Sequence, residues 1–229
     1  MVKKQSKFLI QQKIGLNIFA ITLVGIAIYL GIKTFEDSPL GEFVEGEHYQ
    51  LLDNPRRVRS DKVEVMEFFS YGCVHCFDFE AMLSEWANAK KDSINFIRTP
   101  AIASDYWRAL GRAFFALDQM ELIEDHHMTI FRAIHQSRQD LSNAELLFDF
   151  MEENGVSREN FASIYRSSQV NTAMNQADQM ARRLKVASVP TIVVQGKYLI
   201  RTTRSVGPSR MLDVMDYLIA KERQSKEIN

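Results

Sequence analysis

The only two cysteines in 229 residues lie together in Cys73-Val74-His75-Cys76. The apolar pair Phe68-Phe69 precedes them, and Ser70-Tyr71-Gly72 marks the break between. This order predicts a CxxC that opens a helix directly after a strand, with the sulfurs one helical turn apart. Two thiols so placed can form and break a disulfide without rearranging the rest of the chain. A purely structural bridge is the competing reading, but loop-closure stabilisation is smallest for so short a loop. Such a bridge would also pin no distant segments together. A zinc site requires four ligands, and two Cys with one intervening His fall short. No second CxxC or HxxxH supplies the rest. The spacing therefore points to a redox-active dithiol, with no metal expected.

With 46% hydrophobic residues the chain can bury a substantial core, consistent with one domain plus an embellishment. Its net charge of −1 hides an asymmetry. Lys3, Lys4, Lys7, Lys13 and Lys33 are unopposed by any acid in residues 1–33, so the remainder is net negative. That distribution offers no basic face for a nucleic acid. Ile14 to Ile32 carries no formal charge, and as a helix it would rise about 28 Å, close to the hydrocarbon thickness of a bilayer. Lysines precede it, while Glu36, Asp37, Glu42, Glu45 and Glu47 follow. The positive-inside rule then leaves residues 1–13 in the cytoplasm and carries the chain beyond about Lys33 across the membrane. In a bacterium this means a single-pass inner-membrane anchor with the domain in the periplasm, where disulfides persist. The alternative is a cleaved secretory signal that leaves a soluble periplasmic domain. Gly25-Ile26-Ala27 has the small residues for cleavage, but apolar Ile28-Tyr29-Leu30 follows in place of a polar region.

Residues 33–60 read as a tether and a short extended entry, His48 to Leu52, before the Asn54-Pro55 turn. Val63, Val65, Phe68 and Phe69 read as a buried strand. The helix from Cys73 carries Phe77, Phe79, Met82, Leu83 and Trp86, and Ile94 to Arg98 forms a second strand stopped by Pro100. Residues 103–184 are helical in pattern, with one stripe at Trp107, Leu110, Phe114 and Leu117 and another at Leu122, Met128, Phe131 and Ile134. Ser142 to Glu145 has capping-box spacing, Asn154-Gly155 closes that helix, and a last helix spans about 169–184. Thr191 to Val194 and Lys197 to Ile200 form a hairpin across Gln195-Gly196. Pro208 opens a C-terminal amphipathic helix.

A strand, a CxxC helix, a strand, a helical block, a hairpin and a final helix make a mixed α/β plan with one large helical insertion. Here the chain resembles the DsbA branch of the thioredoxin superfamily. The resemblance rests on Glu67 to Cys76 (EFFSYGCVHC), on Ser188-Val189-Pro190-Thr191, on Glu45-Gly46-Glu47-His48-Tyr49, and on the hairpin Val194 to Tyr198. It covers roughly residues 43–222. It implies a thioredoxin-like fold whose first part is 61–102 and whose second part is 185–222, around the insertion 103–184, with a tail at 223–229. Val74 stands where the family most often has proline, and an anchor at 14–32 departs from its soluble members.

The thiolate is the reacting species. Cys73, first in the motif, is expected at the helix N-terminus, where unpaired N–H groups and the helix dipole favour an anion. His75 adds to that stabilisation if it donates a hydrogen bond or carries a proton. A stabilised Cys73 thiolate stabilises the reduced form and makes the disulfide a strong oxidant. Cys76 is expected as the buried resolving thiol. Glu67 is an acid in an apolar strand; if buried without a partner it must be protonated or reached by solvent. As a strand-edge carboxylate it would face water. The resemblance makes it the family's buried acid, which moves protons as Cys76 ionises. The resemblance also implies a cis peptide before Pro190, beside the CxxC, with Val189, Pro190, Thr191 and Val74 as the substrate-binding set.

The expected activity is that of a thiol:disulfide oxidoreductase that introduces disulfides into exported, unfolded polypeptides, using a redox-active disulfide and no other cofactor. The resemblance implies a quinone-linked, DsbB-like membrane oxidase as partner. Two alternatives remain: a reductase or isomerase on the same fold, and a non-catalytic membrane-anchored folding factor. Isomerases of the superfamily dimerise through a separate N-terminal domain, which 33–60 is too short to form, so a monomer is expected. Outside this set, His126-His127 reads as a solvated helix face, Arg201, Arg204 and Arg210 as a solvated hairpin edge, and Arg98 is left without a role.

Overall fold

The computed structural model describes residues 43–227, with Thr22 and Gly25 the only described positions before them. The anchor expected over 14–32 therefore lies outside the described residues apart from those two positions. Among the described residues no helix is long and apolar enough to cross a membrane.

Among the described residues five strands form one sheet: β1 (Gln50–Leu51), β2 (Val63–Phe69), β3 (Ile94–Pro100), β4 (Thr191–Val194) and β5 (Tyr198–Arg201). Their spatial order is β1-β5-β4-β2-β3. β2 runs parallel to β3 and antiparallel to β4, with Glu67 opposite Arg98 on one side and Ile192 on the other. All seven residues of β2 are buried, as expected for a strand with neighbours on both sides and covered faces. Alternation of side chains then decides what each residue meets. Val63 and Val65 pack with Phe79, Leu83 and Trp86 of helix α1 (Val74–Ala89) and with Met211, Val214, Met215 and Leu218 of helix α7 (Pro208–Glu227). Met66 and Phe68 point the other way, into a cluster with Leu52, Leu184, Val193 and Leu199. Glu67 shares the parity of Val63 and Val65, so the strand directs it toward the α1 side.

Five helices fill the interval between β3 and β4: α2 (Asp105–Gln119), α3 (Ile123–His135), α4 (Ala144–Glu153), α5 (Arg158–Tyr165) and α6 (Ser168–Arg183). Two local expectations are corrected. Asn143, not Ser142, caps α4, its side chain accepting from Leu146 N at 3.1 Å. On α1 the core stripe is Cys76, Phe79, Glu80, Leu83, Trp86 and Ala87, while Met82 is exposed. The β4–β5 turn has left-handed backbone at Gln195 (φ 53°) and Gly196 (φ 62°). At Gly196 a Cβ would lie 2.7 Å from the Arg56 carbonyl oxygen, so both the conformation and the close approach require glycine.

The helical block is not an appendage with a separate core. Phe69, Tyr71, Cys73 and Cys76 share one buried cluster with Leu110, Phe114 and Leu117 of α2 and Ile130 and Phe131 of α3. The sulfurs thus lie where the insertion meets the sheet and the start of α1.

Candidate active site

Cys73 is the N-cap of α1, with extended backbone (φ −100°, ψ 114°), and its sulfur accepts the Cys76 N–H at 3.4 Å. A thiol therefore occupies the place that Ser, Asp or Asn usually takes at a helix start, where free N–H groups await an acceptor. No acidic residue lies in the first turn of α1, so nothing there opposes a negative sulfur. The hydrogen bond from the Cys76 side chain, then the backbone N–H groups of Cys76 and His75, hold the Cys73 thiol down at about 6, against the opposing effect of burial. The charge of His75 contributes least, and the His75 and Val74 side chains face solvent. As a thiol, Cys73 also donates to the Val189 carbonyl at 3.6 Å. The Val189–Pro190 peptide is cis, and the next residue, Thr191, is buried with its hydroxyl bonded to Ser188 O at 2.7 Å. Cys76 is fully buried, and burial pushes its thiol far above the ordinary range. The two sulfurs, alike in an unfolded chain, thus differ sharply in acidity.

Beneath them lies a polar cluster that sequence reasoning largely missed. Glu67 is fully buried, which removes the reading of a carboxylate facing water. Arg98 Nε lies 3.5 Å from Glu67 Oε2, yet neither Glu67 oxygen has a hydrogen-bond partner. The guanidinium is engaged elsewhere: Nη2 donates to Glu80 Oε1 at 2.6 Å and to Ser84 Oγ at 2.8 Å. Burial, reinforced by the neighbouring Glu80 charge, therefore outweighs Arg98 and raises Glu67 to about 8. Glu80 also accepts the Ser84 hydroxyl at 2.5 Å. Despite burial, its interactions with His127, Arg98 and Ser84 hold it below the usual carboxylate range. The cluster thus holds one neutral and one ionised carboxyl near pH 7.

His127 corrects the expectation of a solvated His126-His127 face: it is buried among Phe69, Tyr71, Phe114 and Phe131. Its Nε2 lies 3.3 Å from Glu80 Oε2, a close approach without good hydrogen-bond alignment. Its Nδ1 is 2.8 Å from the Tyr71 hydroxyl. Burial lowers its pKa, so the ring is neutral. Spacing carried the signal, since His127 precedes Ile130 and Phe131 by three and four residues and falls on their stripe. Glu80 is legible in the same way, four residues after Cys76. Arg201 and Arg204, by contrast, are exposed as expected. Among the described residues no group of three or more His, Cys, Asp or Glu is placed to hold a metal ion.

Glu67 gives a pH test. A carboxyl raised from 4.5 in the unfolded chain to about 8 in the fold contributes stability below 4.5 that is lost as pH rises through 8. Denaturant unfolding of the oxidised protein, whose sulfurs do not titrate, should show this loss in the wild type and not in Glu67→Gln. The variant should gain on the order of 1–3 kcal/mol relative to wild type on the alkaline side. Parallel pH profiles for the two proteins would contradict the assignment.

The family model for the DSBA-like thioredoxin domain matches residues 83–218. That match begins beyond the cysteines, so it rests on the insertion, the hairpin and the final helix, independently of the CxxC. The thiol:disulfide interchange protein DsbA of Pseudomonas aeruginosa is 34% identical over 208 residues, spanning 90% of this chain and 97% of the relative. The DsbA of Azotobacter vinelandii is 31% identical over 205 residues, 89% of this chain and 96% of that protein. Among solved structures, Pseudomonas aeruginosa DsbA superposes with a TM-score of 0.77 at 35% identity, covering 81% of this chain and 97% of that one. The Xylella fastidiosa oxidoreductase DsbA gives 0.74 at 28% identity, covering 80% and 98%. With its sulfurs at the junction of sheet, CxxC helix and helical insertion, the chain belongs to the DsbA family of thioredoxin-fold proteins.

Proposed function

We propose that the chain is a thiol:disulfide oxidoreductase that acts as a dithiol oxidant, introducing disulfides into exported polypeptides before they fold. The observation that carries this reading is the difference between the two sulfurs: Cys73 at a helix N-cap and held at about 6, Cys76 buried and pushed up. In the oxidised protein a substrate thiolate attacks Cys73 Sγ. The Cys73–Cys76 bond breaks, and its electron pair leaves on Cys76, which takes up a proton. Glu67 is protonated at neutral pH and, like Cys76, fully buried; its ionised form and the Cys76 thiolate disfavour each other, so it is suited to supply that proton. A second substrate thiolate then attacks the substrate sulfur of the mixed disulfide, and Cys73 departs as a stabilised thiolate. The substrate has lost two electrons and gained a disulfide, and the protein holds the dithiol. The lowered pKa of Cys73 makes it a good leaving group and the disulfide form a strong oxidant.

Substrate contact falls to the surface around Cys73. Val74 is half exposed, and Val189 is partly open beside the sulfur. The Val189 backbone suits pairing with an extended peptide, since unfolded substrates present free backbone groups. Reoxidation of the dithiol calls for a two-electron acceptor, and a quinone-linked membrane oxidase of the DsbB type fits this family. The chemistry requires only the two sulfurs.

A single-pass anchor over 14–32 in the bacterial inner membrane, with the domain in the periplasm as a monomer, completes the reading. Its support is the uncharged run between a lysine-rich flank and an acidic one. In cells expressing the full chain, the protein should stay in the membrane fraction through an alkaline carbonate wash. Release of a shortened protein into the periplasmic fraction would point to signal cleavage.

The activity test is oxidation of a two-cysteine peptide by the full chain. Cys73→Ser should slow it by about three orders of magnitude or more, because the attacked sulfur is gone. Cys76→Ala, given an excess of oxidised glutathione, should accumulate a mixed disulfide in which the Cys73 thiolate has displaced one glutathione thiolate, detectable by mass, because no neighbouring thiol resolves it. Undiminished oxidation by Cys73→Ser would contradict the proposal.

A further inference from the structure

The turn that delivers Cys73 to its N-cap position is Ser70 to Cys73, closed by the Cys73 N–H donating to Ser70 O at 3.0 Å. Tyr71, its second residue, is fully buried and is held at both ends by α3. Its hydroxyl meets His127 Nδ1 at 2.8 Å. Its backbone carbonyl lies 2.7 Å from His135 Nε2. A carbonyl can only accept, so His135 donates there through Nε2–H. For His127, the carboxylate of Glu80 lies by Nε2, which leaves Nδ1 of the neutral ring to accept the Tyr71 O–H.

His127, Phe131 and His135 are spaced four apart and share one face of α3. Phe131 fills the gap between the histidines, edge-on to Tyr71 with centroids 4.9 Å apart. His135 makes a second contact: its ring stacks on Phe77 at 5.2 Å and 17°. Phe77 directly follows Cys76. One side chain of the insertion thus grips the chain on both sides of the CxxC, by a hydrogen bond at residue 71 and by a stack at residue 77.

We propose that His135, assisted by His127, is a positioning residue for thiol exchange: it clamps the Ser70–Cys73 turn to the first turn of α1, so that the Cys73 sulfur stays on the helix N-terminus. This rests on the oxidant reading above and deepens it. The sulfur's environment depends on a distance, 3.4 Å to the Cys76 N–H, and the clamp fixes the backbone on either side of that contact. Loss of the clamp lets the turn drift and lengthens the bond that favours the anion. The helical insertion therefore sets the reactivity of the sulfurs as well as covering them.

The test compares His135→Ala, His135→Gln and Tyr71→Phe in the full chain, reading thiolate absorbance near 240 nm against pH, the equilibrium with glutathione, and thermal melts. In His135→Ala the Cys73 midpoint should rise by about half a unit or more, and the glutathione equilibrium should move about threefold or more toward a weaker oxidant. His135→Gln, whose amide can donate to the Tyr71 carbonyl, should return both readings toward wild type. Tyr71→Phe should shift them in the same direction as His135→Ala, by less. A folded His135→Ala that titrates as wild type overturns the clamp, as does a His135→Gln no better than His135→Ala. Where His135→Ala does not fold, an unmoved sulfur in Tyr71→Phe overturns it. A wild-type Cys73 near its ordinary 9.0 would overturn the oxidant reading and the clamp with it. A wild-type value near 6 with unmoved variants would overturn the clamp alone.

Discussion

The hydrogen bonds that Cys73 Sγ takes from Cys76, first from its thiol and then from its backbone N–H across the first turn of α1, are the contacts on which the chemistry depends. A helix start leaves its first N–H groups without partners. Most helices satisfy them with a hydroxyl or carboxylate, which is chemically inert there. This chain uses a thiol, so the capping interaction that stabilises the helix also stabilises the anion of a nucleophile. Helix formation and leaving-group quality become the same interaction read in two ways. Reduction of the disulfide is correspondingly favourable, because the reduced protein gains a cap that the oxidised one holds less well.

The rest of the architecture keeps that sulfur's surroundings asymmetric. β2 ends at Phe69 and turns through Ser70–Cys73 into α1, placing Cys73 at the rim and Cys76 in the core. Beneath Cys76, strand parity brings Glu67 to the α1 side, and helix periodicity brings Glu80 to the same interior. Two buried carboxyls near each other cannot both ionise cheaply. Arg98, Ser84 and His127 all serve Glu80, which leaves Glu67 to stay neutral. The division of partners, more than burial alone, assigns one carboxyl the charge and the other the proton.

The strand order around the CxxC, the hairpin at Gln195-Gly196 and the helical character of 103–184 were legible because each is written in local periodicity or turn chemistry. Cys73, Cys76 and the Val189-Pro190-Thr191 segment were legible as motifs. The polar cluster was not. A polar residue such as Glu80 or His127 on an apolar stripe reads as a stripe edge, and its partners come from distant elements. Arg98 pairs with residues 14 and 18 positions away, and Tyr71 with His127 across 56. Ser142 has the spacing to Glu145 of a cap, but the helix begins one residue later and gives the role to Asn143. In each case tertiary packing chose among locally equivalent options.

The central claim is that the fold itself makes one sulfur acidic. Its most direct measurement is a pH titration of thiolate absorbance in the reduced protein, with Cys73→Ser as the control whose missing low-pH signal assigns it to Cys73. Cys73 in the reduced wild type should ionise with a midpoint near 6, and no second thiolate should appear below the ordinary range. A single midpoint near 9.0, the ordinary thiol value, would contradict it.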